Sequence, residues 1–481
     1  MAGRDVSARI ALVTHGFDTT GGVGTVTRWL RDGLRSTGEY RVDVHSLATS
    51  SRDRHSRRLA APGSWLRRSL DGGDAGPRGD AREHRWGANA VEVEFMRYRP
   101  RHELTEVLRG YDLVQVVAGG PAWAAAVAGA GVPVVLQVAS RACWERESQR
   151  TGQPLPLRGW RAAMTRCTTR IERTALARVD AVLVENAAMY DWVRGAGPAR
   201  VIKAAPGVDT TLFAPADRPW RPDGHLLSVC RLGDPRKGLD RMIHAYAALV
   251  RRHEPTPDLV IAGRGALPGP LRELVAGLDL GARVRVLADV RPDELVELYR
   301  GASVFLQTSH EEGLGMTVLE AMACGLPVVS TETAGSRETV RDGATGWLVP
   351  QSPAGGVAAA VADRTLRVLS DPGCDFGRRG RERCLSLFSS RVALRRFTDV
   401  YDDLLGRGPG GRVGTGDPHG AGDPHGAGGA RGAREAGAPG WTAGRRSGAQ
   451  QPVGQGLPRE RTLGGGRLAP PGVREGQQAQ P

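Results

Sequence analysis

Aromatic side chains are scarce in this sequence of 481 residues, at 5% of the chain, although Lys and Arg outnumber Asp and Glu by 66 to 52. Proteins that bind single-stranded nucleic acid interleave basic residues with exposed aromatic rings. The scarcity of rings therefore argues against nucleic acid as a partner. No apolar run approaches 18 residues, so the sequence predicts no membrane-spanning helix. The N-terminal segment lacks an apolar stretch that ends in a cleavage site, and no secretory signal is expected.

Cysteine is also scarce, with six residues, no C-x-x-C pair and no cluster of Cys with His. Disulfide frameworks and zinc sites need closely placed cysteines. We therefore expect reduced core thiols in a cytoplasmic protein.

The formal net charge of +14 lies mainly in the first half of the chain. Residues 1–200 hold 30 Lys and Arg against 21 Asp and Glu, whereas residues 301–350 hold 2 against 6. A basic first half can contact an anionic membrane surface or an acidic acceptor, and it can equally be a solvated basic face. A peripheral contact with the inner face of the membrane is therefore one of the alternatives.

Alternating strand and helix patterns predict the fold class. Apolar runs typical of buried strands are followed by glycine-containing turns and helical segments, which is the order of doubly wound parallel sheets. We predict two Rossmann-like domains, at 1–215 and 216–388, then a terminal helix at 389–405. A mobile insertion is expected at 48–88, a strand at 91–95, and a disordered Gly/Pro/Arg-rich tail at 406–481.

The stretch at 309–330 carries the strongest functional signal. Gly313 and Gly315 interrupt the pattern after a strand, and a helix is predicted to follow. A glycine loop that leads into a helix N-terminus binds anions, because free N–H groups and the helix dipole point toward it. Glu312 and Glu320 flank the loop, and carboxylates prefer hydroxyl groups to phosphate. A phosphate site framed by hydroxyl acceptors indicates a nucleotide-sugar.

Two other strand ends carry candidate ligand-binding residues. Arg231 and Lys237 follow a strand, at the edge where ligands of open α/β sheets bind. An arginine fork and a lysine point charge can clamp a diphosphate, although an ordinary surface pair is the alternative. Gly263 and Gly265 end the next strand and would let the backbone approach a ligand.

The glycine-rich turn at 16–24 suggests a dinucleotide-binding fingerprint. It lacks the G-x-G-x-x-G spacing, and no acidic residue follows the second strand at the expected distance. NAD is therefore not expected.

In their order and spacing, these segments resemble the retaining GT-B glycosyltransferases of family 4, also called glycosyl transferases group 1. The resemblance covers most of residues 8–405 and implies an α/β GT-B fold, in which two Rossmann-like doubly wound domains face a cleft. It is carried by Gly21, Gly22, Glu172, Arg173, the segment 206–209 with Phe213, Arg231, Lys237, Gly263, Gly265, the segments 312–315 and 320–325, Gly335, Glu338 and the segment 343–346.

The resemblance implies separate roles on the donor side. Glu320 would accept hydrogen bonds from ribose hydroxyls, and Glu312 would hold the transferred sugar. Arg231 and Lys237 would stabilise the departing nucleoside diphosphate, so catalysis falls to Glu312, Arg231 and Lys237. Such a site needs no D-x-D metal clamp, and neither a metal nor another cofactor is expected. The donor-binding set is Gly22, Arg231, Lys237, Gly263, Gly265, Glu312, Gly313, Leu314, Gly315, Met316, Thr317 and Glu320.

The acceptor side departs from the family in one place. Many members carry a histidine in a T-x-H pattern after the strand that corresponds to 134–138, and this chain does not. Gln137, Ser140 and Arg141 are substitutes by position, and His15 at the end of the first strand is another candidate.

The function implied is a metal-independent hexosyltransferase that uses a UDP- or GDP-linked sugar and retains the anomeric configuration. The acceptor is expected to be a glycan, a lipid or a small molecule. Two alternatives remain at this point: a GT-B-like nucleotide-sugar epimerase or phosphorylase, and a non-catalytic nucleotide-sugar-binding protein.

Overall fold

Two parallel sheets with helices on both faces form the part of the chain that carries the site. The computed structural model describes residues 7–17, 21–49, 56–59, 61, 63, 70–71, 83–88, 90, 93–147, 155–197, 200–371 and 373–407. Both sheets belong to one unit, Met1–Val413. The predicted disordered tail lies outside the described residues from 408 onward.

The first sheet has eight strands in the order β3-β4-β2-β1-β5-β6-β7-β8, and all neighbours are parallel except β3 and β4. Its elements are β1 (Ala8–His15), α1 (Gly22–Ser36), β2 (Tyr40–Leu47), β3 (Leu70–Asp71), β4 (Glu83–Trp86), α2 (His102–Leu108), β5 (Leu113–Ala118), β6 (Val134–Val138), α3 (Ala142–Glu147), α4 (Leu155–Leu176), β7 (Ala181–Val184), α5 (Ala187–Ala196) and β8 (Val201–Lys203).

The second sheet has six parallel strands in the order β11-β10-β9-β12-β13-β14. Its elements, and the helices that close the chain, are β9 (His225–Arg231), α6 (Leu239–Val250), β10 (Leu259–Arg264), α7 (Gly269–Gly277), β11 (Val284–Ala288), α8 (Pro292–Gly301), β12 (Ala302–Gln307), α9 (Met316–Ala323), β13 (Val328–Thr331), α10 (Ala334–Thr339), β14 (Trp347–Val349), α11 (Val357–Leu369), α12 (Phe376–Arg383) and α13 (Ser390–Leu404).

Burial explains why these segments adopt these structures. Every residue of β5, β6 and β12 is buried, as expected for central strands of a parallel sheet that is covered on both faces. In α1, the buried residues Val26, Leu30 and Leu34 recur every four positions and turn one face to the core.

The last helix returns to the first sheet. In α13, Phe397 and Tyr401 are fully buried in the core formed by β1, β2 and α1. The Tyr401 hydroxyl donates to Gln115 Oε1 on β5 at 2.7 Å. The chain therefore crosses between the two sheets twice, once before β9 and once before α13.

The structure corrects one predicted element and adds two. The strand predicted at 91–95 is wrong over its described part, because Glu94–Tyr98 forms a 3₁₀ turn. Most of the mobile insertion predicted at 48–88 lies outside the described residues, but its last part contains β4, which pairs with β2 and buries Trp86 completely. The helix α12 was not expected, because its FGRRGRER sequence has one large apolar residue and two glycines. A four-residue strand and a polar helix give too little periodicity to be recognised.

Candidate functional site

Loops at the carboxyl ends of the strands of the two sheets are in direct contact. Asn186 follows β7, and its side-chain amide donates to the Gly313 carbonyl at 2.7 Å and to the Ala139 carbonyl at 3.2 Å. The Ser140 hydroxyl, after β6, donates to Glu311 Oε1 at 3.0 Å. The loop that follows β12 is therefore held by two polar side chains of the first sheet.

The glycine loop before α9 needs its glycines for two different reasons. Gly315 has φ of 89°, in the left-handed region that glycine adopts without strain. At Gly313, an added Cβ would lie 2.9 Å from the Ala139 Cβ, so a larger residue would separate the two sheets. Leu314 is buried, and Met316 and Thr317 begin α9, where their backbone N–H groups are free to bind an anion.

Lys237 and Glu312 form a close ion pair, with 2.6 Å between Nζ and Oε2. Both side chains are 17% exposed, so the pair is shielded but reachable. Burial opposes the charge on Lys237, but the adjacent Glu312 carboxylate outweighs it and raises the pKa of Lys237. The predicted sugar-holding carboxylate and the predicted diphosphate-binding ammonium are thus in contact.

Arg231 lies in a second charged group, which it shares with Asp234 and Arg236. Its guanidinium is 48% exposed and lies 2.7 Å from Asp234 Oδ2. Arg236 binds the same carboxylate through Nε at 3.1 Å and Nη2 at 2.9 Å, and approaches Glu311 at 3.4 Å. Burial opposes the charge on Asp234, but Arg236 and Arg231 outweigh it and lower the pKa of Asp234. Arg236 is therefore held in place, whereas Arg231 reaches solvent.

Glu320 lies on α9 and accepts a hydrogen bond from the Tyr299 hydroxyl at 2.8 Å. Burial raises the pKa of this carboxyl to about 7, although the Tyr299 hydrogen bond acts in the opposite direction. The tyrosine is fully buried on α8 and so fixes the carboxyl's orientation.

The other predicted donor-side glycines differ in environment. At Gly263 an added Cβ would lie 1.7 Å from the Cys230 carbonyl oxygen, so the glycine is required by strand packing. Gly265 has φ of 80° and open space around it, and Gly22, at the exposed start of α1, also has open space. Their surroundings leave Gly22 and Gly265 accessible to a ligand.

The four acceptor-side candidates do not converge on one point. The Gly119 N–H donates to His15 Nε2 at 3.2 Å, and the His15 ring stacks on Trp123 at 4.5 Å. Burial lowers the pKa of His15 to about 4, so the ring is neutral at pH 7. Ser140 lies at the junction of the two sheets, as described above.

Gln137 and Arg141 each approach a different buried glutamate. The Gln137 amide donates to Glu185 Oε1 at 3.1 Å, and its own Oε1 has no partner among the described atoms. The Arg141 guanidinium lies 4.1 Å from the Trp192 ring centre and 4.0 Å from buried Glu172.

Four residues at the site were not singled out from the sequence: Glu185, Asn186, Arg236 and Glu311. Glu185 and Asn186 follow β7 directly, so the rule that ligands bind at the carboxyl ends of strands could have identified them. Nothing in the local pattern distinguishes Arg236 or Glu311 from their neighbours. Burial raises the pKa of Glu185 to about 7; the Gln137 hydrogen bond opposes this and the Glu312 charge adds to it.

Replacing Glu185 by glutamine is expected to change the pH dependence of stability. The native carboxyl keeps its proton up to about pH 7, whereas an ordinary carboxyl loses it near 4.5. Between these values the native state binds more protons, so the free energy of unfolding falls as pH rises. Glu185→Gln should therefore stabilise the protein at pH 8 by up to about 3 kcal/mol, and by little at pH 5.

Urea unfolding of Glu185→Gln and the wild type at both pH values measures this difference. Glu297→Gln, on the exposed face of α8, is the control, and an equal effect at both pH values would refute the account.

No three His, Cys, Asp or Glu side chains group as metal ligands among the residues described. Within the same residues, no helix is long and apolar enough to cross a bilayer.

A family model described as glycosyl transferases group 1 matches residues 221–382. The matched segment extends from just before β9 into α12 and contains Lys237, Glu312 and Glu320.

Two curated relatives illustrate the sequence similarity. The D-inositol 3-phosphate glycosyltransferase of Acidothermus cellulolyticus is 37% identical over 195 residues, which are 37% of this chain and 42% of the relative. The alpha-maltose-1-phosphate synthase of Mycolicibacterium smegmatis is 30% identical over 277 residues, which are 51% of this chain and 70% of the relative. The match thus spans less than half of the first relative and more than two thirds of the second.

A solved structure supports the fold. Sucrose-phosphate synthase from Thermosynechococcus elongatus superimposes with a TM-score of 0.62 at 21% identity, over 83% of this chain and 99% of that chain. The GT-B fold class predicted from the sequence is confirmed, with two Rossmann-like parallel-sheet domains.

Proposed function

The chain belongs to the glycosyl transferases group 1 family, and on that premise we propose that it transfers a hexose from a UDP- or GDP-linked sugar to a glycan, lipid or small-molecule acceptor, with retention of configuration. The observation that carries this proposal is the Lys237–Glu312 pair beside the N-terminus of α9, with Glu320 farther along the same helix.

In this reaction the carboxylates of the site bind the hydroxyls of the donor, and the cations bind its diphosphate. The bond between the sugar C1 and the diphosphate oxygen breaks, and its electron pair leaves with the diphosphate. The acceptor oxygen bonds to C1, and the hydroxyl proton passes to the departing phosphate or to water. Negative charge therefore grows on the diphosphate, where the α9 amides, Lys237 and Arg231 stabilise it.

Within this proposal, Glu312 exchanges partners when the donor binds. Its carboxylate takes a sugar hydroxyl as the Lys237 ammonium turns to the diphosphate. Because Lys237 and Arg231 supply the positive charge, we propose that the reaction needs no metal. Nucleoside diphosphate release in the presence of EDTA tests this, and loss of release that Mg²⁺ restores would contradict it.

Panels of UDP- and GDP-sugars, with and without acceptors, test the function itself. The expected result is nucleoside diphosphate together with a glycosylated acceptor, and slow donor hydrolysis without acceptor. A non-catalytic binding protein would bind nucleotide and release none. A phosphorylase would yield a sugar phosphate, and an epimerase would yield an isomerised donor.

Replacing Glu320 by alanine is expected to weaken binding of the cognate nucleoside diphosphate about tenfold or more, because hydrogen bonds to a charged group contribute about 1.5–3 kcal/mol. Tyr299→Phe removes only the hydroxyl that orients Glu320 and should weaken binding less. Calorimetry measures both affinities. An unchanged affinity in Glu320→Ala would remove the ribose-binding role.

We also propose that α4 contacts an anionic membrane surface. Arg158, Arg166, Arg170 and Arg173 are exposed on this helix, and no described carboxylate forms a salt bridge with them. The sole acidic residue of α4, Glu172, is buried. Trp160, near the start of the helix, is 61% exposed. Arginines without a described ionic partner, on a helix that also exposes an indole, are complementary to acidic headgroups and their interface.

Flotation with phosphatidylglycerol vesicles at low salt tests the membrane contact. The protein should float with these vesicles and not with phosphatidylcholine vesicles, since each basic residue contributes about 1 kcal/mol near an anionic surface. A triple Gln variant at Arg166, Arg170 and Arg173 should lose flotation. The matched control is a triple Gln variant at 367, 391 and 395, three exposed arginines of α11 and α13. Equal flotation of both variants would refute the assignment to α4.

A further inference from the structure

A pocket of about 420 Å³ lies where the two sheets meet, and we call it the Trp144 pocket. One wall comes from the first sheet, with Ala139, Trp144 and Asn186, and the other from the loop and helix after β12 and β13, with Glu311, Glu312 and Thr333. It therefore opens on the carboxylate that is proposed to hold the transferred sugar.

The polar groups of the Trp144 pocket are mainly hydrogen-bond acceptors. Besides the carboxylates of Glu311 and Glu312, the Asn186 amide and the Thr333 hydroxyl line the pocket. No lysine or arginine lies among the described residues that line it. His310 also lines the pocket, and burial and the nearby Arg241 lower its pKa, which favours the neutral ring. Among the described residues that line the pocket, an anion would meet carboxylates and no lysine or arginine.

The described cations nearest the pocket each lie beside a carboxylate. The Arg141 guanidinium, 5.7 Å from the Trp144 ring centre, lies 4.0 Å from buried Glu172. Arg236 is bound by Asp234 through two nitrogens and lies near Glu311, and Glu145 adds a third carboxylate to its surroundings. Lys237 is paired with Glu312 and, in the proposed reaction, is taken up by the donor diphosphate. A phosphate group on the acceptor would therefore have to compete with a carboxylate for Arg236 or for Arg141.

The apolar part of the pocket suits a sugar ring. Trp144 is partly exposed beside Ala139 and Ala334. An indole offers apolar area to the C–H face of a pyranose or polyol, while the hydroxyls of that molecule can donate to Glu311. The Ser140 hydroxyl already donates to Glu311 at 3.0 Å, which holds that carboxylate against the first-sheet wall.

From this geometry we infer that the Trp144 pocket binds the acceptor and selects an uncharged sugar or polyol over its phosphate ester. The inference rests on the proposed transferase function and narrows its acceptor. Glu311 acts as a specificity-determining residue, because its charge both accepts sugar hydroxyls and repels phosphate. Trp144 positions the acceptor ring next to the donor sugar at Glu312.

The test compares matched pairs of acceptors, and the donor in every assay is the one that releases most nucleoside diphosphate. Glucose and glucose 6-phosphate form one pair, and myo-inositol and inositol 3-phosphate form the other. The ratio of kcat/KM within each pair should favour the uncharged member at least tenfold. Trp144→Ala should raise KM for the uncharged acceptor about tenfold, with a smaller effect on kcat. Glu311→Gln should reduce the preference toward unity, and Glu297→Gln, whose carboxylate is 71% exposed on α8, should retain it.

Calorimetry of the same pairs, in the presence of UDP or GDP, gives the comparison without turnover. Tighter binding of the phosphate ester by the wild type would overturn the inference, and so would a preference that Glu311→Gln leaves unchanged or binding of neither member. Turnover with phosphorylated acceptors alone would refute the inference and leave the transferase function standing. Absence of nucleoside diphosphate release from every donor would instead refute the transferase function.

Discussion

Replacing Lys237 by methionine is expected to lower kcat by about a hundredfold to a thousandfold, which is the typical effect of removing one preorganised donor from a developing negative charge. The physical reason lies in the burial of the pair. Lys237 and Glu312 are each 17% exposed, so the ammonium acts on the diphosphate with little screening by water. Because the charge is larger in the transition state than in the bound donor, kcat should fall more than donor affinity.

The chain supplies a matched control for this experiment. Its 66 basic residues include two lysines, Lys203 and Lys237. Lys203 pairs with Glu338 at 3.0 Å and is 47% exposed, and exposed pairs contribute about 1 kcal/mol or less. Lys203→Met should therefore leave kcat nearly unchanged, whereas Lys237→Arg should not restore it, because a planar fork does not replace a compact ammonium.

Methionine at 237 also leaves the Glu312 carboxylate without its partner, which can destabilise the fold independently of catalysis. The double variant Lys237→Met/Glu312→Gln removes both charges and should recover the thermal stability. Its activity should stay low. Recovery of activity together with stability would mean that Lys237 acts through folding and not on the diphosphate.

Gly263→Ala is expected to destabilise the protein on the order of 4 kcal/mol or more, the range reached by backbone strain combined with overpacking. Gly263, the penultimate residue of β10, has φ of 155°, and an added Cβ would lie 1.7 Å from the Cys230 carbonyl oxygen on β9. Backbone atoms of two paired central strands cannot move apart without breaking their ladder. The glycine is therefore needed where two backbones approach each other.

Substitution of Gly265 gives the effect of backbone strain without steric overlap. Its φ of 80° is also in the left-handed region, but an added Cβ would meet no atom within 4 Å. Gly265→Ala should therefore lower the free energy of unfolding by about 1–2 kcal/mol, the effect of a left-handed backbone conformation alone. Denaturant unfolding of both variants measures the difference, and equal destabilisation of the two would contradict the packing argument.

Features that lie within a few residues of one another leave a local pattern in the sequence. The glycine loop at 313–315 was identified because glycines, a strand and a helix follow one another within a few residues. The pairing of Lys237 with Glu312 could not be read from the sequence, because 75 residues separate them and the ordering of β9 beside β12 brings them together.

The acceptor side was harder to predict for a related reason. Gln137, Ser140 and Arg141 are close in sequence, yet they point to Glu185, Glu311 and Glu172, on three separate segments. Contacts of this kind depend on how the two sheets approach each other, and periodicity reports only which face of an element is buried. The Trp144 pocket is accordingly visible in the structure alone.

The most direct test of the account is ¹H NMR of one reaction mixture that contains an α-linked nucleotide-sugar, an uncharged sugar acceptor and the protein. The account predicts that nucleoside diphosphate and a new α-glycoside appear in equal amounts. A β-glycoside would contradict retention. A sugar phosphate, an isomerised donor, or an unchanged spectrum with a donor that binds would contradict the assignment of Lys237, Glu312 and Glu320 to glycosyl transfer.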